Sequence, residues 1–206
     1  MLLFAGLGNP ERKHENDRHN IGFMAVDALA AMHRFSPWRS RFHGAVAEGQ
    51  LAGRKVIALK PATYMNRSGQ SVGEAVRFYK LGLDAVFVFH DELDLEPGKV
   101  RVKLGGGLAG HNGLRSIAPA IGPDFWRIRL GIGHPGDKAL VLGHVLGAFS
   151  RSDRDWLDPL LDGIADAAPL LARGDAPGFM SRVALKAPPP AAPVAARGRI
   201  TEEDRS

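Results

Sequence analysis

The chain contains no cysteine among its 206 residues. Disulfide staples, thiolate nucleophiles and thiolate metal sites are therefore excluded. No apolar run reaches the roughly 18–20 residues that a helical bilayer crossing requires. The opening run stops at Gly8-Asn9-Pro10, and the run over residues 85–89 stops at His90-Asp91-Glu92. The N-terminus has neither a positively charged lead nor a small-residue cleavage site, so the expectation is a cytoplasmic protein without a membrane partner. The patterns G-x-S-x-G and H-E-x-x-H are both absent. That removes the serine-hydrolase elbow and the helical zinc-protease site. Acidic residues are missing between Pro97 and Pro123, a stretch that holds Lys99, Arg101, Lys103 and Arg115.

What is present fits one globular domain with a real core: 45% of residues are hydrophobic and 24% charged, close to the average for folded soluble chains. The net charge is +5. Residues 187–206 carry three arginines against two glutamates and one aspartate, so the excess lies in the rest of the chain. This Pro/Ala-rich stretch has too little apolar surface to offset ordering entropy and is expected to be a mobile tail behind a domain at residues 1–186.

Strand-like and helix-like segments alternate up to that point. The expected fold is a single α/β domain, a twisted, mixed, mostly parallel sheet flanked by helices. Residues 2–7, 55–59, 85–89 and 126–132 read as strands. Helical spacing of apolar residues appears at 19–34, 68–80, 112–121 and 151–173, with a last short piece at 177–185. Residues 99–104 alternate with period two, which puts Lys99, Arg101 and Lys103 on one wet strand face and Val100, Val102 and Leu104 on the other.

Five segments hold polar residues that a packed scaffold does not need: Gly6-Leu7-Gly8-Asn9-Pro10, Asp17-Arg18-His19-Asn20, Tyr64-Met65-Asn66, His90-Asp91-Glu92-Leu93-Asp94, and the glycine loop from Gly105 to Gly113. In an open α/β sheet, loops beyond the carboxyl ends of parallel strands converge on the ligand crevice. Gly105, Gly106, Gly107 and Gly110 satisfy G-x-G-x-x-G, but the strand before them is charged on one face, unlike the apolar strand that opens a dinucleotide fold. A nucleotide-dependent oxidoreductase is thus the weaker reading, and no cofactor is expected. The glycines still allow backbone N–H groups to approach an anion closely. His90, Asp91, Glu92 and Asp94 are a conceivable Mg²⁺ set, yet the favoured chemistry is a histidine paired with a carboxylate. Imidazole can take a proton from water near neutral pH, and a carboxylate on its other nitrogen stabilises the charged ring. The residues leave His19, His90 and His111 open as the base, and Asp91 or Asp94 as its orienter.

Six blocks then appear in a recognisable order: GLGNP at residues 6–10, RHNIGF at 18–23, YMN at 64–66, HDELDL at 90–95, KLGGGLAGHNGL at 103–114 and RLGIGHPG at 129–136. Together they resemble the bacterial peptidyl-tRNA hydrolase family over roughly residues 1–185. The resemblance implies a monomeric, metal-free esterase that cuts the bond between a peptide and the 3′-terminal ribose of tRNA. It implies His19 as the base and Asp91 as its orienter. Asn9, Asn66 and Asn112 would hold the ester and the 3′ end, with an amide of Asn9 or Asn112 supporting the oxyanion. Met65 and His111 would line the same cleft, and Lys103 and Arg129 would meet tRNA phosphate. An RNA-binding protein on the same fold, with catalysis lost, is the alternative; the retained His19, Asp91 and asparagines favour the enzyme. The chain departs from the family pattern at Glu11, where glycine is usual, and at Leu108-Ala109, where a His-Gly pair is common. His14 stands where tyrosine is common, at a position assigned to substrate contact.

Overall fold

In a computed structural model, described here for residues 1–187, seven strands form one sheet. In chain order the elements are β1 (Leu2–Gly6), α1 (Ile21–Met32), β2 (Arg39–Arg41), β3 (Gly44–Leu51), β4 (Arg54–Pro61), α2 (Ser68–Tyr79), β5 (Val86–Glu92), β6 (Val100–Leu104), α3 (Asn112–Ile121), β7 (Trp126–Gly131), α4 (Val141–Val145), α5 (Arg154–Ala172) and α6 (Ala176–Lys186). The strand order is β2-β3-β4-β1-β5-β7-β6. The four central strands run parallel, and β2, β3 and β6 join antiparallel at the margins. No described helix is long and apolar enough to cross a membrane. The tail expected at residues 187–206 lies, beyond Ala187, outside the described residues.

Strand parity assigns the two cores. Phe4, Phe87, Phe89, Ile128 and Leu130 pack with α1 and α5 on one face, while Leu3, Ala5, Val86, Val88 and Ile57 pack with α2 and α3 on the other. Both faces are covered, as the continuous apolar runs of β1 and β5 require. Glycines set how closely α1 approaches. A Cβ on Gly22 would lie 2.3 Å from the carbonyl oxygen of Phe89, and one on Gly6 would lie 2.3 Å from that of Gly22. The N-terminal end of α1, and the 3₁₀ turn Arg18–Asn20 before it, is thereby brought onto the carboxyl ends of β1 and β5.

Several expectations change. The hairpin partners β2 and β3 were not foreseen, because Gly44–Leu51 is rich in glycine and alanine and holds a single β-branched residue, Val46, of the kind that marks a strand. Its turn is formed by Ala52 and Gly53, both at positive φ. The short α4 was also unforeseen. Strand β5 continues to Glu92, so His90, Asp91 and Glu92 belong to the strand itself. Leu104 is exposed rather than packed. Finally, β6 is antiparallel to β7, with Leu104 beside Trp126. The glycine loop therefore leaves from the amino end of β7 and must run back along the sheet face, instead of departing from the carboxyl edge with the other loops.

Candidate active site

Asp91 is the fixed point of the site. It sits near the end of β5, buried, and its Oδ1 lies 2.8 Å from Nδ1 of His19 and 2.8 Å from Nε2 of His111. His19 comes from the 3₁₀ turn before α1, and His111 is the residue that caps α3. Burial alone would raise the Asp91 carboxyl pKa, but the two imidazoles outweigh it and hold the group well below the usual carboxylate range. An ionised carboxylate only accepts hydrogen bonds, so each facing nitrogen is a donor.

That assignment separates the three histidines. Nδ1 of His111 accepts from the amides of Gly113 at 3.1 Å and Leu114 at 3.4 Å. Its proton is therefore on Nε2, aimed at Asp91, and both nitrogens are engaged. His90 points to the other sheet face; its Nδ1 lies 2.8 Å from the backbone oxygen of Asp91, and burial, helped by His111, pushes its pKa down to about 3. It stays neutral. His19 donates through Nδ1, while its Nε2 makes no hydrogen bond among the described residues and the ring lines a cleft of about 760 Å³. Only His19 offers the cleft a free imidazole nitrogen backed by a carboxylate. Asp94, the other candidate orienter, is exposed.

Asn9 is equally constrained. Its backbone pairs with the Asn20 side chain in both directions at 2.9 Å, and its Oδ1 accepts from the amide of Met65 at 3.0 Å. The carbonyl end of the side chain is used, which leaves Nδ2 as the free end. Met65, Asn66, His111, Asn112 and Gly110 line the same cleft, and its opposite wall is apolar, with Val141, Leu142, Val145 and Leu146.

The ligand atoms of His19, Asp91 and His111 fall within 4.8 Å of one another, a spacing that suits a cation. The donor set does not. Binding a metal through Nε2 of His111 would place the proton on Nδ1, against the two amides that now donate to it. The Mg²⁺ set of the sequence reading is not assembled, because His90 and Glu92 face away from Asp91 across the strand.

A family model for peptidyl-tRNA hydrolase matches residues 3–190. The peptidyl-tRNA hydrolase of Granulibacter bethesdensis is 65% identical over 90% of this chain and 96% of its own length. That of Acidiphilium cryptum is 62% identical over 90% and 97%. The crystal structure of the enzyme from Acinetobacter baumannii superposes with a TM-score of 0.84 at 44% identity, covering 89% of this chain and 94% of that one. The chain belongs to the peptidyl-tRNA hydrolase family.

Within this family member the remaining predicted residues fall into a second place. Lys103, Gly105, Gly106, Gly107 and Arg129 line a cavity of about 230 Å³ on the α2–α3 face of the sheet, with Arg127, Glu92 and His90. The register puts Lys103 beside Arg127 and Arg101 beside Arg129, so four cations share one face, as the alternation of β6 implied. Arg127 is buried and spends its guanidinium on the backbone oxygens of Gly107 and Pro123, which pins the returning glycine loop. Ala109 lines both cavities and forms part of the partition between them. His14 joins neither group. Its Nδ1 is bonded to the buried carboxylate of Asp17 at 2.5 Å, and it lines neither cavity. Asn20 and Arg127 were missed as site residues; the signal available for Asn20 was an asparagine directly before an apolar helix.

Proposed function

We propose that this chain hydrolyses the ester between a peptide and the 3′-terminal ribose of tRNA, in the cytoplasm, as a monomer and without a metal or cofactor. The observation that carries the reading is the free Nε2 of His19 in the cleft, backed through Nδ1 by Asp91. Family membership supports the substrate class.

His19 takes a proton from water through Nε2 as the water oxygen attacks the ester carbonyl, and Asp91 stabilises the resulting imidazolium. The carbonyl oxygen gains negative charge, which Nδ2 of Asn9, with Asn112 nearby, supports. Collapse breaks the bond to the ribose oxygen, and that oxygen receives the proton from His19. The products are free tRNA and the peptide acid, which loses its remaining water proton to solvent and leaves as a carboxylate. Asn66, Asn112 and Met65 hold the 3′ end, His111 keeps Asp91 in place, and Lys103, Arg129 and the glycine loop at Gly105–Gly107 grip phosphate without reading sequence.

The test is release of free tRNA from N-acyl-aminoacyl-tRNA, with and without a chelator. Turnover that the chelator leaves unchanged is expected. Retained tRNA binding without release would favour the non-catalytic RNA-binding reading, and loss of turnover in chelator would refute the metal-free one.

A further inference from the structure

Glu92 is out of place in a cavity that grips phosphate. It is a buried carboxylate with a side chain only 4% exposed, it lines both cavities, and its charge repels the anion that Lys103 and Arg129 attract. Electrostatics alone makes it a defect. Its hydrogen bonds give it another role. Oε2 accepts from Nε of Arg129 at 2.8 Å, and Oε1 accepts from the amide of Asp94 at 3.2 Å. The carboxylate is thus held by the chain turn that follows β5, and it holds the guanidinium by its inner nitrogen. Both Nη groups of Arg129 are left without a partner among the described residues, on a side chain 28% exposed. Arg127, two residues earlier on the same face, shows the opposite arrangement: its Nη groups are used on backbone oxygens.

We propose that Glu92 is a positioning residue for tRNA binding: it orients the Arg129 guanidinium so that both Nη groups face the incoming phosphate. The inference rests on the phosphate role of Arg129. It also gives β5 a double function. Adjacent residues of one strand point to opposite faces, so Asp91 orients the hydrolytic imidazole on one side while Glu92 orients the phosphate-binding guanidinium on the other. The separation between cutting and gripping is then fixed by a single peptide unit, which suits an enzyme that measures from a phosphate to the ester.

The sign of one substitution tests this. If Glu92 only repels phosphate, Glu92→Gln tightens binding and lowers KM for N-acyl-aminoacyl-tRNA. If it positions Arg129, the same change raises KM by roughly tenfold, the scale of one charge-assisted contact, with the loss carried by KM rather than kcat. The slope of log KM against log salt should also flatten, because one phosphate contact is lost. Arg129→Gln should raise KM too, and adding Glu92→Gln to it should cause no further loss. Arg129→Lys, which keeps the charge but loses the fork, should behave like Arg129→Gln, and it serves if Glu92→Gln does not fold by its thermal midpoint. A wild-type KM for Arg129→Gln would refute the phosphate role itself. A raised KM for Arg129→Gln beside an unchanged or lowered KM for Glu92→Gln, or a wild-type KM for Arg129→Lys, would overturn the positioning role.

Discussion

The two cavities are built on opposite principles. Around Asp91 the catalytic cleft is closely bonded: Asp91 accepts from two imidazoles, His111 uses both nitrogens, and Asn9 is held at its backbone and at Oδ1. Of His19, His111 and Asn9, the side-chain nitrogens left free among the described residues are Nε2 of His19 and Nδ2 of Asn9. The cationic cavity has charge in excess and bonds in deficit: buried Nε2 of His90 and Nε of Arg127 have no partner among the described residues, and Lys103 and Arg129 line the cavity. The proposed hydrolysis needs a reacting nitrogen placed to a fraction of an ångström, which bonds fixing His19 and its neighbours can supply. The proposed phosphate grip needs attraction that tolerates any sequence, which surplus charge can supply.

The sharpest way to break this contrast is His19→Ala. Positioned general-base help contributes on the order of 10²–10⁴ in rate, so turnover should fall at least that far while tRNA binding by filter retention stays near wild type. Asp91→Asn should cost less in kcat, by leaving the imidazolium of His19 without its facing negative charge. Both imidazoles donate to the same oxygen, Oδ1, so the amide oxygen can keep both bonds, but they are no longer charge-assisted, which should lower the thermal midpoint. In the cationic cavity, Lys103→Ala should raise KM for peptidyl-tRNA more than for a short aminoacyl-ester mimic, and reduce the salt slope by about one. Equal effects on both substrates would show that the two cavities are not separable in function.

Two further predictions concern stability. His90 has a folded-state pKa near 3 against an ordinary value of 6.5, so the unfolded chain binds more protons between these values. Stability should therefore fall as pH drops from about 6.5 toward 3. His90→Phe should flatten that acid limb in denaturant titrations; an unchanged limb would mean that other groups set it. The smallest effect is expected at Ala109, a residue at φ 46°. An L side chain in this region costs about 1–2 kcal/mol, partly offset by the lower unfolded-state entropy of alanine. Ala109→Gly should stabilise the fold by about 0.5–1 kcal/mol at the difference of these terms.

The central strands and the helices were legible because their apolar periodicity is a local property. The length of β5 was not: His90, Asp91 and Glu92 look like a polar loop until their partners are known, and those partners lie at His111, His19 and Arg129. For the same reason the residues alone left three candidate bases, and the choice among them came from the family resemblance. The hydrogen bonds favour the same choice, because capping α3 consumes the lone pair of His111 and burial keeps His90 neutral. The path of the glycine loop depends on strand direction, which no short stretch of sequence encodes. His14 was placed by its alignment with a family position, and its bond to Asp17 could not be read without coordinates.

The locked amide of Asn9 has a consequence for inhibitors. Because the Met65 amide occupies Oδ1, the side chain cannot rotate to swap its ends without abandoning that bond. A small molecule aimed at the cleft should therefore carry an oxygen acceptor for Asn9 and, at a fixed spacing from it, a hydroxyl or N–H for His19, with a greasy arm reaching Leu142 and Leu146. Compounds with the two polar groups exchanged would have the same formula and the same shape, and should be inert.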